Sequence, residues 1–199
     1  MELLAKLLGG ADRVKIMRFF LHNENDNFSL STIYEKTKVK SSVCRSILNA
    51  LISIGFLEKK RQRVTILEKT KKDTKIKENI SYKLNNSFPH NEALKDLLFD
   101  FELLDKKELA SRFKNIGRIK LFLVSGLFLN LDKSRVDILI VGESLNKSKS
   151  DKVFDILSSE LGREVVYSVM DVEEFEYRYK MYDKFVRDIL DLPHETIID

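Results

Sequence analysis

The chain has 199 residues, enough for one large or two small domains, and its 35 Lys and Arg against 31 Asp and Glu leave a net charge of only +4. No apolar run approaches the ~20 residues of a membrane-spanning helix, and the opening MELLAKLLGG lacks the apolar core and cleavage site of a signal peptide, so a soluble chain with no membrane partner is expected. A single cysteine, Cys44, rules out an internal disulfide and fits a reducing cytoplasm, while His22, His90 and His194 offer no metal-ligand spacing, so neither a metal nor a cofactor is expected.

The small net charge hides a division. Residues 1–83 hold 18 basic and 9 acidic side chains, and residues 84–199 hold 17 and 22. The amino-terminal part is thus the candidate for a polyanionic partner, and the remainder is not.

Along the chain, Val14, Ile16, Met17, Phe19, Phe20 and Leu21 form a broad apolar stripe on a helix that starts after Gly9-Gly10, with Asp12 in position to cap it. After the polar break at residues 22–27, Ser29 can cap a short helix bearing Leu30, Ile33 and Tyr34 and ending at Thr37-Lys38. Val39 is the apolar plug of the following turn. A third helix opens at Ser41 or its neighbour, with Val43, Ile47, Ala50, Leu51 and Ile54 predicted on its inner face and Gly55 as its left-handed stop.

The other face of this third helix holds Lys40, Ser41, Ser42, Arg45, Ser46 and Asn49. Short side chains let such a helix approach a groove closely. Arg pairs with guanine O6 and N7, and Asn with adenine N6 and N7, each in bidentate fashion. An amphipathic helix always has a polar face, so the context decides. Residues 56–66 read as an extended segment with a basic middle, and Ile80–Leu84 as a second strand after a lysine-rich stretch, residues 68–78, without apolar periodicity.

The segment SLSTIYEKTKVKSSVCRSILNALISIGFLEKK resembles the winged helix-turn-helix regulators of bacteria and archaea in its order of helix, turn, recognition helix, glycine and strand. The resemblance covers residues 1–85. It implies binding of double-stranded DNA, with Lys38, Lys40, Ser41, Ser42, Arg45 and Asn49 at or near the groove and Lys59, Lys60, Arg61 and Arg63 along the phosphates. Winged helices also serve as protein-interaction modules, which is an alternative reading.

Residues 85–91, with Pro89, form the linker, and a helix carrying Leu94, Leu97, Leu98, Phe101 and Leu104 follows within the connecting segment 86–117. Its narrow stripe either packs on its own domain or pairs with a second subunit, so a homodimer on a two-fold site is a candidate assembly. Residues 118–199 read as an α/β domain. Strands are predicted at Ile119–Val124, Val136–Val141 and Val165–Val169. A helix carrying Val153, Phe154, Leu157 and Leu161 closes at Gly162, and one long helix runs from an Asp171/Glu174 capping box through Ile189.

Ser125-Gly126-Leu127 followed by Val136-Asp137-Ile138-Leu139 resembles the small nucleotidyltransferase-fold domains, in which a Gly-Ser turn cradles phosphates and paired carboxylates on the next strand hold magnesium. Leu127 stands where that family has a small residue, and Leu139 where it has its second carboxylate. Neither Glu164 nor Asp171 lies where a substitute would be needed. The resemblance therefore implies the fold with Ser125, Gly126 and Asp137 as a vestigial motif and no catalysis. The expected whole is an α+β protein, a winged helix-turn-helix followed by a nucleotidyltransferase-like domain with a mixed sheet. Its expected function is transcription regulation. A nucleotidyltransferase-fold enzyme and an antitoxin-like interaction module are the alternatives.

Overall fold

The computed structural model describes residues 2–67, 74–99, 106–129, 131 and 134–198. They form an α+β protein in two units, Met1–Phe99 with Ser159–Arg163, and Asp100–Ser158 with Glu164–Asp199.

In the first unit, α1 (Glu2–Leu8) turns into α2 (Ala11–His22) through Gly9 and Gly10, whose φ angles of 85° and 125° suit glycine. All six apolar residues predicted for the stripe of α2 are buried. Asp12 does not cap this helix. The cap is Gly10, and Asp12 sits in the first turn, where its charge favours the positive end of the helix dipole. Ser29 accepts a hydrogen bond from the Thr32 amide at 3.2 Å and opens α3 (Leu30–Thr37). Lys38 ends α3 in the left-handed region at φ 56°, Val39 is buried, and α4 (Ser41–Ser53) follows. Gly55, at φ 79°, lets the Phe56 amide reach back to Leu51 O at 3.0 Å and stops the helix as predicted.

The chain then enters a hairpin of β2 (Leu57–Leu67) and β3 (Thr74–Leu84), and the short β1 (Phe28–Ser29) completes an antiparallel sheet of order β1-β3-β2. The hairpin is longer than predicted. Its second strand begins at Thr74 instead of Ile80, because backbone pairing continues without a shift from Leu57↔Leu84 to Leu67↔Thr74, through a stretch whose side chains give no apolar alternation. Residues 68–73 of the predicted lysine-rich stretch lie outside the described residues. Helix α5 (Asn91–Phe99) buries Leu98 fully, with Leu94 and Phe99 half-buried against the same core as α2 and α4. Thus the helix predicted as a connector packs in the first unit, while Phe101 and Leu104 of its stripe lie outside the described residues. The same unit holds a buried arginine, Arg18, whose Nε donates to Leu98 O at 2.8 Å and whose Nη1 donates to Glu160 O at 2.9 Å. Burial, opposed by nearby Glu160, pulls its pKa down to about 10.

The second unit is built on β4 (Arg118–Val124), β5 (Ile138–Glu143), β6 (Tyr167–Asp171) and β7 (Glu195–Ile198), in the order β6-β5-β4-β7. The sheet is mixed, as predicted: β5 and β6 are parallel and the other pairs antiparallel. On one face Phe122 meets Phe113, of the turn after α6 (Lys106–Arg112), which in turn meets Phe154 of α7 (Lys147–Leu161). On the other, Leu123, Leu139 and Val141 pack with Val186 and Ile189.

Three predictions for this unit change. The second and third strands each start two residues later than expected, and β7 pairs with β4 although residues 195–198 carried no predicted strand. The single long helix is two, α8 (Val172–Lys180) and α9 (Lys184–Asp191). Tyr182 breaks it at φ 58°, and Asp183 caps the second helix by accepting from the Val186 amide at 3.1 Å. Asp171 stands at the N-cap of α8 but makes no side-chain capping bond. Among the described residues, no helix is long and apolar enough to cross a membrane.

Candidate nucleic-acid interface

Helix α4 buries Cys44, Ile47, Leu48 and Leu51, a spacing of three, one and three residues that defines one stripe. The predicted inner face is rotated from this. Val43 is 39% exposed and Ile54 62%, whereas Cys44 and Leu48 are fully buried, because a free cysteine packs as a small hydrophobe. Burial, aided by Asp12, pushes the Cys44 thiol up to about 11, so it is un-ionised at neutral pH.

The outward face of α4 holds Ser41, Ser42, Arg45, Ser46 and Asn49, all exposed, and Val43 joins them. Val43 is an exposed residue of this face that the sequence reading placed inward; counting Cys44 as apolar turns the stripe and finds it. From Ser41 to Asn49 the helix rises ~12 Å, equal to three or four base-pair steps of ~3.4 Å. Among the described residues, the side chains of Arg45 and Asn49 enter no hydrogen bond or ion pair. The start of α4 has no side-chain cap and no acidic residue in its first turn, so its amides face outward without a side-chain acceptor, an arrangement suited to a phosphate. Lys40 at the N-cap and Lys38 two residues earlier are both exposed beside it.

The hairpin adds charge. β2 holds four basic residues against one acidic, and β3 three against one. Lys59, Lys60 and Arg61 are exposed. The register divides them: Lys59 and Arg61 share the face of Leu57, Tyr82 and Leu84, while Lys60 shares the other with Ser81 and Lys83. Arg63 stands opposite Glu78 on the face of Lys59 and Arg61, and its side chain lies outside the described residues. At the base, Lys83 pairs with Glu58 at 3.0 Å. Eleven paired residues give the ribbon a length of ~36 Å. A helix with an exposed polar face and a basic ribbon therefore belong to one small unit.

The second predicted constellation assembles differently. Asp137 is 5% exposed and precedes β5 by one residue. Its Oδ1 accepts from the Leu127 amide at 2.7 Å and its Oδ2 from the Val166 amide at 2.8 Å. The Ser125 amide donates to Asp137 O at 2.9 Å, and Ser125 Oγ donates to Pro193 O at 2.8 Å. Gly126, at φ 50°, starts the 3-10 turn Gly126–Leu129, and a Cβ there would collide with Asp137 Oδ1. Ser125, Gly126 and Asp137 are thus brought together, but the carboxylate is occupied in tying the turn to the strand and to Val166. Leu139 is fully buried, and Glu164 and Asp171 are exposed on other segments. Among the described residues, no group of three or more His, Cys, Asp or Glu gathers in a way that could hold a metal ion.

Comparison of the chain with known protein families, with curated proteins and with solved structures finds no match.

Proposed function

We propose that the first unit is a winged helix-turn-helix that binds double-stranded DNA, with α4 as its recognition helix and the β2–β3 hairpin as its wing, and that the protein regulates transcription. The observation that carries the reading is the outward face of α4, where Arg45 and Asn49 stand exposed and unengaged, four residues apart on one face, among serines and Val43. In this account Arg45 and Asn49 read base edges, Val43 touches a thymine methyl, and the first-turn amides with Ser41, Ser42, Lys38 and Lys40 hold phosphate. Lys59, Lys60, Arg61 and Arg63 supply affinity through counterion release without reading sequence.

The second unit serves this reading as a sensing or assembly domain of nucleotidyltransferase-like plan, without transfer chemistry. Two magnesium ions need more than one available carboxylate, and Asp137 is engaged on both oxygens. The test is a fluorescence-anisotropy titration of a labelled duplex at 50 and 200 mM salt. The reading expects affinity to fall on the order of a hundredfold or more across that interval. Binding insensitive to salt, or none at low salt, would move the first unit to the protein-interaction class.

A further inference from the structure

Strands β5 and β6 are parallel neighbours with Gly142 opposite Asp171, so both end at the same rim of the sheet. The chain leaves them in opposite directions. From β5 it passes to α7, whose Phe154 packs with Phe113, itself against Phe122, on one face; from β6 it passes to α8, whose Val172 and Phe175 pack with Leu139 and Val141 on the other. Connections that part in this way leave a crevice outside the carboxyl ends of the strands, which is where open α/β sheets bind their ligands. A cleft is present at this place. Leu145 and Lys147 of the first connection, Asp171 and Glu174 of the second, Asp151 and the whole of β6 line a volume of about 510 Å³, inside the range of about 300–1,000 Å³ usual for small-molecule sites. It lies beyond the end of β5 that is remote from Asp137.

The lining groups that are not already engaged indicate the occupant. Val166 O accepts from the Asp137 and Ile138 amides, so the backbone groups of Ser168 and Met170 also point to β5, and those of Tyr167 and Val169, by alternation, point away from it. β6 is the last strand of its sheet, and among the described residues these outward N–H and C=O groups have no partner. Two of the carboxylates are committed: Asp151 accepts from Tyr167 OH at 2.8 Å, and Glu174 pairs with Arg178 at 2.7 Å. Lys147 and Asp171 are exposed and, among the described residues, their side chains make no ion pair or hydrogen bond. An aspartate at an N-cap ordinarily accepts from an amide of its own helix, and Asp171 does not. The connection to α7 thus presents a free cation, the connection to α8 a free anion, and the strand edge both donors and acceptors. Three carboxylates against one lysine make a polyanion such as a nucleotide a poor occupant.

We propose that this cleft binds a small zwitterion of the free amino-acid class, its ammonium held by Asp171 and its carboxylate by Lys147. The inference concerns the second unit and stands whether or not the first binds DNA. The experiment is saturation-transfer NMR on the full chain with the common amino acids as probes, each at about 1 mM, followed by titration of the strongest binder. Its Kd rises at least about tenfold in Asp171→Asn, which keeps a good N-cap residue, and in Lys147→Gln, with the thermal midpoints of the ligand-free variants unchanged. The carboxamide and the N-acetyl form of the same amino acid, each short of one charge, bind at least about tenfold more weakly. No binding by any probe at about 10 mM overturns the proposal. So does a binder indifferent to either variant, which sits elsewhere, or a carboxamide as tight as its parent acid, which marks a site for amines alone.

Discussion

The outer face of α4 and the turn before β5 are both rich in small polar side chains, and they use them in opposite ways. At Ser125, Asp137 and Ser134 every side-chain polar group has a partner inside the fold: Ser134 Oγ donates to Val136 O at 2.6 Å, and the carboxylate takes two backbone amides. On α4, Arg45 and Asn49 face solvent and, among the described residues, make no such bonds. Buried polar groups must be paired to be tolerated, whereas exposed ones left unpaired are available to a ligand. The turn before β5 maintains the fold, and the outer face of α4 is left available to a ligand.

Substitutions should separate the two. The largest effect is expected from Asp137→Ala, which leaves the buried Leu127 amide and the part-buried Val166 amide without acceptors, at up to about 1–3 kcal/mol for each. A destabilisation of about 3–5 kcal/mol is expected in urea denaturation of the full chain, and a loss below about 1 kcal/mol would mean that the carboxylate is not the staple it forms here. Next comes Gly126→Ala, which forces a Cβ toward Asp137 Oδ1 at a positive φ and should cost about 2–4 kcal/mol in the same assay.

Substitutions on the proposed binding face should change affinity and leave stability intact. Lys60→Ala with Arg61→Ala should weaken binding to every duplex and reduce the slope of log affinity against log salt by roughly 2, one unit for each phosphate contact. An unchanged slope would remove the wing from the interface. Arg45→Ala should relax preference at one base pair by about 1–3 kcal/mol while shifting stability by less than about 0.5 kcal/mol. Equal loss of affinity for all sequences would remove Arg45 from base reading.

The smallest effect belongs to the residue beside it, Cys44, whose thiol is held to about 11 by burial, with Asp12 contributing. The folded state keeps that proton more firmly than the unfolded chain, whose thiol ionises near 9, so stability is complete below pH 9 and declines as pH rises from 9 towards 11. Melting at pH 8 and pH 10, compared with Cys44→Ala, should show a larger loss at pH 10 for the native chain, and an equal loss in both would contradict it.

What the sequence makes legible follows from where local rules decide. The first three predicted helices have local stops or caps, Ser29, Gly55 and a clear apolar period, and these act within a few residues. The length of the β2–β3 hairpin is carried by backbone pairing between residues up to 27 positions apart, Leu57 with Leu84, so side-chain alternation does not report it. The break at Tyr182 is hidden for another reason, since a left-handed residue is usually read from Gly or Asn and here is an aromatic. On the candidate site, Arg45, Asn49 and the serines are legible from the polar stripe, whereas Val43 is not, because an apolar residue on a helix is assigned inward unless Cys44 and Leu48 are seen to fill that face. Asp137 is legible as a special residue, but its role depends on the Leu127 and Val166 amides, 10 and 29 residues away.

The central claim is that the outer face of α4 reads DNA sequence, and selection from a pool of random duplexes with sequencing of the retained DNA tests it most directly. The account predicts an enriched motif for the native chain and loss of one defined position of that motif for Arg45→Ala. Retention of DNA with no motif would contradict sequence reading by α4, and no retention at low salt would contradict DNA binding altogether.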